Sequence, residues 1–317
     1  MASEIKIKYE EEFILNSRGK RLFSSRWIPE NENPKALIFM CHGYAMECSM
    51  TMQSTATRLA KGGFAVYGLD YEGHGKSDGL FGLVNKFENI VDDCFHHFST
   101  ICEKEENRNK MRYLLGESMG GAVALLLHRK NPHYWDGAIL AAPMCKMADD
   151  IRPNAIMVTI LSGLSKIFPT WQIVPGQDIN EIAFKLPEVR QQIKANKYCY
   201  KGKPRLKTAF ELNRVCTEFE QRLNEVSLPF LVLHGEEDRV TDKAVSKQLY
   251  DVASSTDKTL KLYPGMWHGL LFGEPPENLD IVFKDIISWI EERSRYGNTR
   301  LERELKQQNE DFVKTSY

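Results

Sequence analysis

Short, unbroken apolar runs recur along this chain with stretches of helical periodicity between them, and that alternation leaves few folds open. Residues 36–40 (Ala-Leu-Ile-Phe-Met) and 65–69 (Ala-Val-Tyr-Gly-Leu) carry no charge, the pattern of strands buried on both faces of a parallel sheet. Between them Met52, Thr55, Ala56 and Leu59 recur at helical spacing, and Gly62-Gly63 ends the helix. The same rhythm predicts a helix over 90–102, a strand over 112–115, a helix over 119–129 and a strand over 137–142. Parallel neighbours need long crossovers, and helices supply them. The chain therefore reads as α/β with a mostly parallel sheet and helices on both faces. A hairpin opens it, residues 13–15 and 22–27 flanking the polar turn 16–19.

The rhythm fails after Pro143. Residues 146–226 are rich in Ile, Leu, Met, Phe and Trp at mixed spacing and are cut by Pro153, Pro169, Pro175, Pro187 and Pro204, so they read as several short inserted helices. Alternation resumes with a strand over 230–233, a helix over 245–252, a strand over 259–263 and a helix over 279–290. A length of 317 residues exceeds the usual single domain but suits one α/β body with an excursion. The expected division is a first part of the core at 1–145, a helical cap at 146–226, a second part of the core at 227–295 and a charged tail at 296–317.

Bulk properties exclude several classes. A net charge of -1 provides no global field for nucleic acid. No apolar run reaches the length of a membrane span, and residues 1–9 mix Glu and Lys without the apolar segment of a secretory signal. The expectation is a cytoplasmic protein that meets membranes, if at all, peripherally through the cap. Seven cysteines, an odd number without C-x-x-C spacing, argue against a disulfide framework or a zinc site.

The chemistry centres on Gly116-Glu117-Ser118-Met119-Gly120, a match to G-x-S-x-G. Such a pattern arises by chance in about one chain in ten of this length at average residue usage. Its setting makes it specific. The apolar strand 113–115 runs into it and the Ala/Leu-rich segment 122–127 runs out of it, the strand-turn-helix context of a nucleophilic serine on a strained elbow. A helix starting there also aims its positive dipole end at a developing oxyanion.

Among eight histidines, His268 is the expected base. His96, His97, His128 and His133 lie within or at the end of helices, His42 and His74 sit in Gly-flanked turns, and His234 ends a buried strand, where structural duties suit them better. His268 lies instead in the loop after the last expected strand, and loops at the carboxyl ends of parallel strands gather at one edge of the sheet. The preceding strand leads into Gly235-Glu236-Glu237-Asp238, where Asp238 lies deepest in the turn and is chosen as the acid, leaving Glu236 and Glu237 to solvent. The resulting order, Ser, Asp, His, is that of the α/β-hydrolase fold. Two backbone N–H groups should form the oxyanion hole, Met119 after the nucleophile and Tyr44 in the loop after residues 36–40.

Taken together, His42-Gly43-Tyr44, Asp70-Tyr71-Glu72-Gly73-His74-Gly75, Gly116-Glu117-Ser118-Met119-Gly120-Gly121, Tyr198-Cys199-Tyr200-Lys201-Gly202-Lys203-Pro204-Arg205, His234-Gly235-Glu236-Glu237-Asp238 and Met266-Trp267-His268 resemble the plant monoacylglycerol lipase-like family, also called lysophospholipase-like, which includes caffeoylshikimate esterases. The resemblance spans about residues 11–293. It implies the α/β-hydrolase fold, the triad Ser118, Asp238 and His268, oxyanion donors at Tyr44 and Met119, and a helical cap between the sixth and seventh strands. Members often carry glycine after the His-Gly-Tyr turn, where this chain has Ala45.

The expected activity is hydrolysis of a small-molecule carboxylic ester of monoacylglycerol, lysophospholipid or caffeoylshikimate type through an acyl-enzyme on Ser118. No metal, organic cofactor, nucleic acid or obligate protein partner is called for. An acyltransferase would use the same triad, and a small-molecule receptor could be built on the same fold. Met144, Met147, Ile151, Met157, Leu161, Leu164, Phe168, Trp171 and Trp267 are the candidate pocket residues, although short cap helices need such side chains to pack on one another.

Overall fold

The computed structural model describes residues 5–146, 155–174 and 178–296. Eight strands form one sheet: β1 (Ile7–Leu15), β2 (Arg21–Pro29), β3 (Leu37–Cys41), β4 (Ala65–Leu69), β5 (Arg112–Glu117), β6 (Gly137–Ala141), β7 (Phe230–Gly235) and β8 (Lys258–Tyr263). Their spatial order is β1-β2-β4-β3-β5-β6-β7-β8. The pairings β1·β2 and β2·β4 are antiparallel, and every later pairing is parallel. The crossovers are α1 (Gln53–Lys61), α2 (Phe87–Cys102), α3 (Met119–Lys130) and α8 (Lys243–Val252), and α9 (Pro276–Tyr296) follows β8. Between β6 and β7 lie α4 (Ala155–Ile167), α5 (Ile179–Ala183), α6 (Pro187–Ala195), α7 (Leu206–Arg222) and a 3-10 turn, Leu223–Glu225.

The unbroken apolar runs follow from this layering. In β3, Leu37, Phe39 and Cys41 pack into the core shared with α2, α3 and α7, while Ile38 and Met40 pack into the opposite core shared with α1 and α9. A strand covered on both faces cannot alternate apolar with polar. All seven cysteines are buried free thiols.

Two elements differ from the sequence reading. β1 begins at Ile7 rather than near residue 13, because it is an edge strand with solvent on much of its surface and tolerates Glu10, Glu11 and Glu12. The last helix extends beyond 279–290 at both ends: Pro276 occupies its first position, where a missing N–H costs nothing, and Arg293 lies over the Trp289 ring while pairing with Asp257. The expected tail beyond Tyr296 lies outside the described residues.

The turn between β5 and α3 is the tightest point of the fold. Ser118 is held at φ 54°, ψ -120°, a conformation unusual for a side chain other than glycine. A Cβ on Gly116 would lie 2.3 Å from the carbonyl oxygen of Gly120, and a Cβ on Gly120 would lie 1.8 Å from that of Cys41. Only hydrogen at these positions lets the helix start sit against β3. Gly120→Ala is therefore expected to lose roughly 3 kcal/mol of stability in urea melts, because backbone must move to admit one methyl group. An unchanged midpoint would contradict the packing described here.

Candidate active site

The carboxyl ends of β3, β5, β7 and β8 meet around a cavity of about 310 Å³. Ser118 and His268 both line it. Ser118 is placed by backbone alone: its N–H donates to the carbonyl of Ala141 at the end of β6, and its own carbonyl accepts from Gly121 and Met144, each at 2.9 Å. The oxyanion candidates are beside it. Met119 is the first residue of α3, so its N–H has no acceptor within the helix. Gly43, just before Tyr44, passes so near that an added Cβ would lie 3.6 Å from the Cβ of Ser118.

The loop carrying Tyr44 is tied down on several sides. The imidazole of His42 faces the Gly43 carbonyl through Nδ1 at 2.8 Å and accepts the Tyr71 N–H on Nε2, so Nδ1 carries the hydrogen. The Tyr44 hydroxyl donates to the Gly82 carbonyl. Ala45 sits at φ 65°, in the region that favours glycine, and its carbonyl accepts the N–H of Tyr200. Asn196 donates to the buried carboxylate of Glu47, which also accepts from Thr51. The segment before α7 thus grips the loop.

His268 and Asp238 are joined directly, with Nδ1 2.7 Å from Oδ2. The same Oδ2 accepts the Thr241 hydroxyl at 2.9 Å, and Oδ1 accepts the N–H groups of Val240 and Thr241 at 2.7 and 3.1 Å. Burial alone would raise the pKa of Asp238; the charges and hydrogen bonds of His268 and His234 reverse this and hold it well below the ordinary carboxylate value. Burial likewise pulls His268 down, but the Asp238 charge and hydrogen bond, with the charge of Glu117, leave its pKa above the ordinary imidazole value. Of the three carboxylates in the turn, Asp238 is the one that reaches His268; Glu237 is exposed.

Three polar neighbours escaped the sequence reading. Glu117, the variable position of the motif, is buried on the cavity wall, accepts the Leu271 N–H at 3.4 Å and is pushed up to about 7, chiefly by burial. Thr241 bonds to Asp238. His234 sits 3.0 Å from it. Only the position of His234 at the carboxyl end of its strand could have flagged it; nothing local marks the other two.

The cavity wall differs from the expected pocket. Met144 lines it, but Leu161, Leu164, Phe168, Trp171 and Trp267 do not. The α4 helix packs on α7, Phe168 and Trp171 stack on each other with centroids 4.0 Å apart, and the Trp267 backbone is pinned by Glu274. Met147, Ile151 and the side chain of Met157 lie outside the described residues. Among the described residues the apolar wall comes from Met46 after β3, Ile179 and Phe184 at the two ends of α5, Leu212 on α7, Val240 after β7 and Phe272 after β8. Lys201 and Lys203 contribute a cationic edge, whereas Arg205 is spent on the carbonyls of Phe81 and Thr170. No helix among the described residues is long and apolar enough to cross a membrane.

Known proteins share this architecture. Over 294 residues the chain is 33% identical to the caffeoylshikimate esterase of Arabidopsis thaliana, covering 92% of this chain and 88% of that protein. It is 31% identical over 288 residues to the monoglyceride lipase of Homo sapiens, covering 90% and 92%. Among solved structures, a soluble variant of monoglyceride lipase from Saccharomyces cerevisiae with a substrate analog matches in fold, with a TM-score of 0.77 at 19% identity over 91% of this chain and 94% of that one. The Hydrolase_4 model, described as serine aminopeptidase, S33, matches residues 32–276. The chain belongs to the Hydrolase_4 family and is a carboxylic ester hydrolase with the α/β-hydrolase fold.

Proposed function

We propose that this chain cleaves its ester by two-step acyl transfer on Ser118. The supporting observation is that a buried Asp238–His268 pair opens into the cavity that also holds the strained Ser118 elbow. His268 takes the proton from the Ser118 hydroxyl as the oxygen attacks the ester carbonyl, and the N–H groups of Tyr44 and Met119 receive the oxyanion. Collapse breaks the carbonyl–alkoxy bond, and the alcohol leaves with the proton from His268. Water then repeats the sequence on the acyl-enzyme, releasing the acid and restoring the serine.

A base must be neutral to accept a proton, so kcat/KM should rise with pH through the His268 pKa. Because that pKa lies above the ordinary 6.5, the midpoint of the acid limb is expected above 6.5. A profile that stays flat down to pH 5 would remove His268 from this role.

For the substrate, we infer an ester with an apolar or aryl acyl part and a carboxylate on its alcohol, of the caffeoylshikimate type. The apolar wall suits the first part, and Lys201 and Lys203 at the cavity edge suit the second. Rates on caffeoylshikimate, monoacylglycerol and lysophosphatidylcholine should show kcat/KM at least about 10-fold higher for the first. The margin should shrink in Lys201→Ala/Lys203→Ala and at high salt. Equal or better cleavage of monoacylglycerol would reassign the substrate and leave the acyl-transfer chemistry standing.

A further inference from the structure

The last residue but one of β7 reaches into the proposed catalytic set. His234 is fully buried, with Nε2 3.0 Å from Oδ2 of Asp238 and 3.3 Å from the carbonyl oxygen of Thr241. A carboxylate and a carbonyl can only accept, so Nε2 carries the hydrogen. In the neutral ring Nδ1 is then an acceptor, and the Ser246 hydroxyl on α8 donates to it at 2.7 Å. Two imidazoles thus converge on one carboxylate oxygen, His268 from the cavity side and His234 from the sheet.

We propose that His234 is a positioning residue for the hydrolytic reaction: its Nε2–H fixes the rotation of the Asp238 carboxylate and shares the charge of Oδ2, moderating the basicity of His268. This role presupposes that Asp238 and His268 serve Ser118 as proposed above. Both effects follow from the same bond. Without it, Oδ2 loses one of its donors, the carboxylate is less constrained, and the charge concentrated on the remaining bond raises the proton affinity of His268. The other charged groups in reach do not duplicate this function. Glu117 faces His268, while Asp242, near His234, is paired with Lys146.

The test uses His234→Phe, which fills the space without a donor, and His234→Gln, which restores an amide donor. Each is assayed on p-nitrophenyl butyrate across pH, with the functional enzyme counted by fluorophosphonate titration. Per functional site, kcat of His234→Phe should fall by about 10- to 100-fold while KM stays within about twofold, because misplacement of a reacting group acts on the chemical step. Its acid limb should move to higher pH. His234→Gln should recover most of kcat and return the limb towards that of the parent protein. The proposal is overturned if His234→Phe keeps the parent kcat and acid limb per functional site, or if the two variants differ only in the amount of folded protein. If neither folds, Ser246→Ala, which frees the far side of the ring, should show the same direction of pH shift, and no shift there overturns the proposal. Full activity in Ser118→Ala would instead defeat the acyl-transfer reading beneath it.

Discussion

Replacing Ser118 by alanine should lower kcat on a carboxylic ester by about 10⁴- to 10⁶-fold while leaving KM within a few-fold. The loss is large because the attacking oxygen itself is removed. The elbow that presents Ser118 also places Gly120 and Gly121 where larger side chains would strike Cys41 and Pro143. Substrate binding should survive, since Met46, Phe184, Leu212, Phe272 and the lysine edge are untouched. Removing one oxygen from an elbow held by backbone bonds to Ala141, Gly121 and Met144 should leave the melting temperature close to that of the parent. Loss of activity with a collapsed melt would indicate a folding defect, and retention of activity would exclude Ser118 as the nucleophile.

Asp238→Asn should cost about 10⁴-fold in kcat, for a reason visible in the hydrogen bonds. Oδ1 is fixed by the N–H groups of Val240 and Thr241 and must remain an oxygen to accept them. The amide nitrogen would then occupy the position of Oδ2, where it would face the N–H groups of His268 and His234. Donor would oppose donor on both sides. His268 could restore a bond only by moving its hydrogen to the other ring nitrogen, the one that must be free to accept the serine proton. Steady-state kinetics at the pH optimum measure the effect, and a loss below tenfold would mean that Asp238 does not orient the base.

Much of this was legible in the residues, for identifiable reasons. Strands covered on both faces, such as β3 and β4, announce themselves because two cores demand apolar side chains at every position. The G-x-S-x-G turn is readable because close approach to β3 forbids anything larger than hydrogen at Gly120. The edge strand β1 was cut short because nothing forces Glu10 to Glu12 inward. The segment between β6 and β7 resisted for a different reason: Phe168, Trp171, Leu161 and Leu164 have the composition of a pocket, but whether an apolar side chain packs on its own helices or faces a cavity is decided by tertiary placement, which periodicity does not encode. The same holds for Glu117 and His234. Their polarity is evident from sequence, but their proximity to the imidazole and carboxylate depends on β5, β7 and the loop after β8 ending at one edge of the sheet.

The most direct measurement is the intact mass of the protein after brief reaction with an alkyl fluorophosphonate, followed by peptide mapping. The structure predicts one adduct per chain, carried on Ser118, formed faster as His268 loses its proton and absent in Ser118→Ala. An adduct on another residue, or none in a folded and active protein, would contradict acyl transfer through this serine.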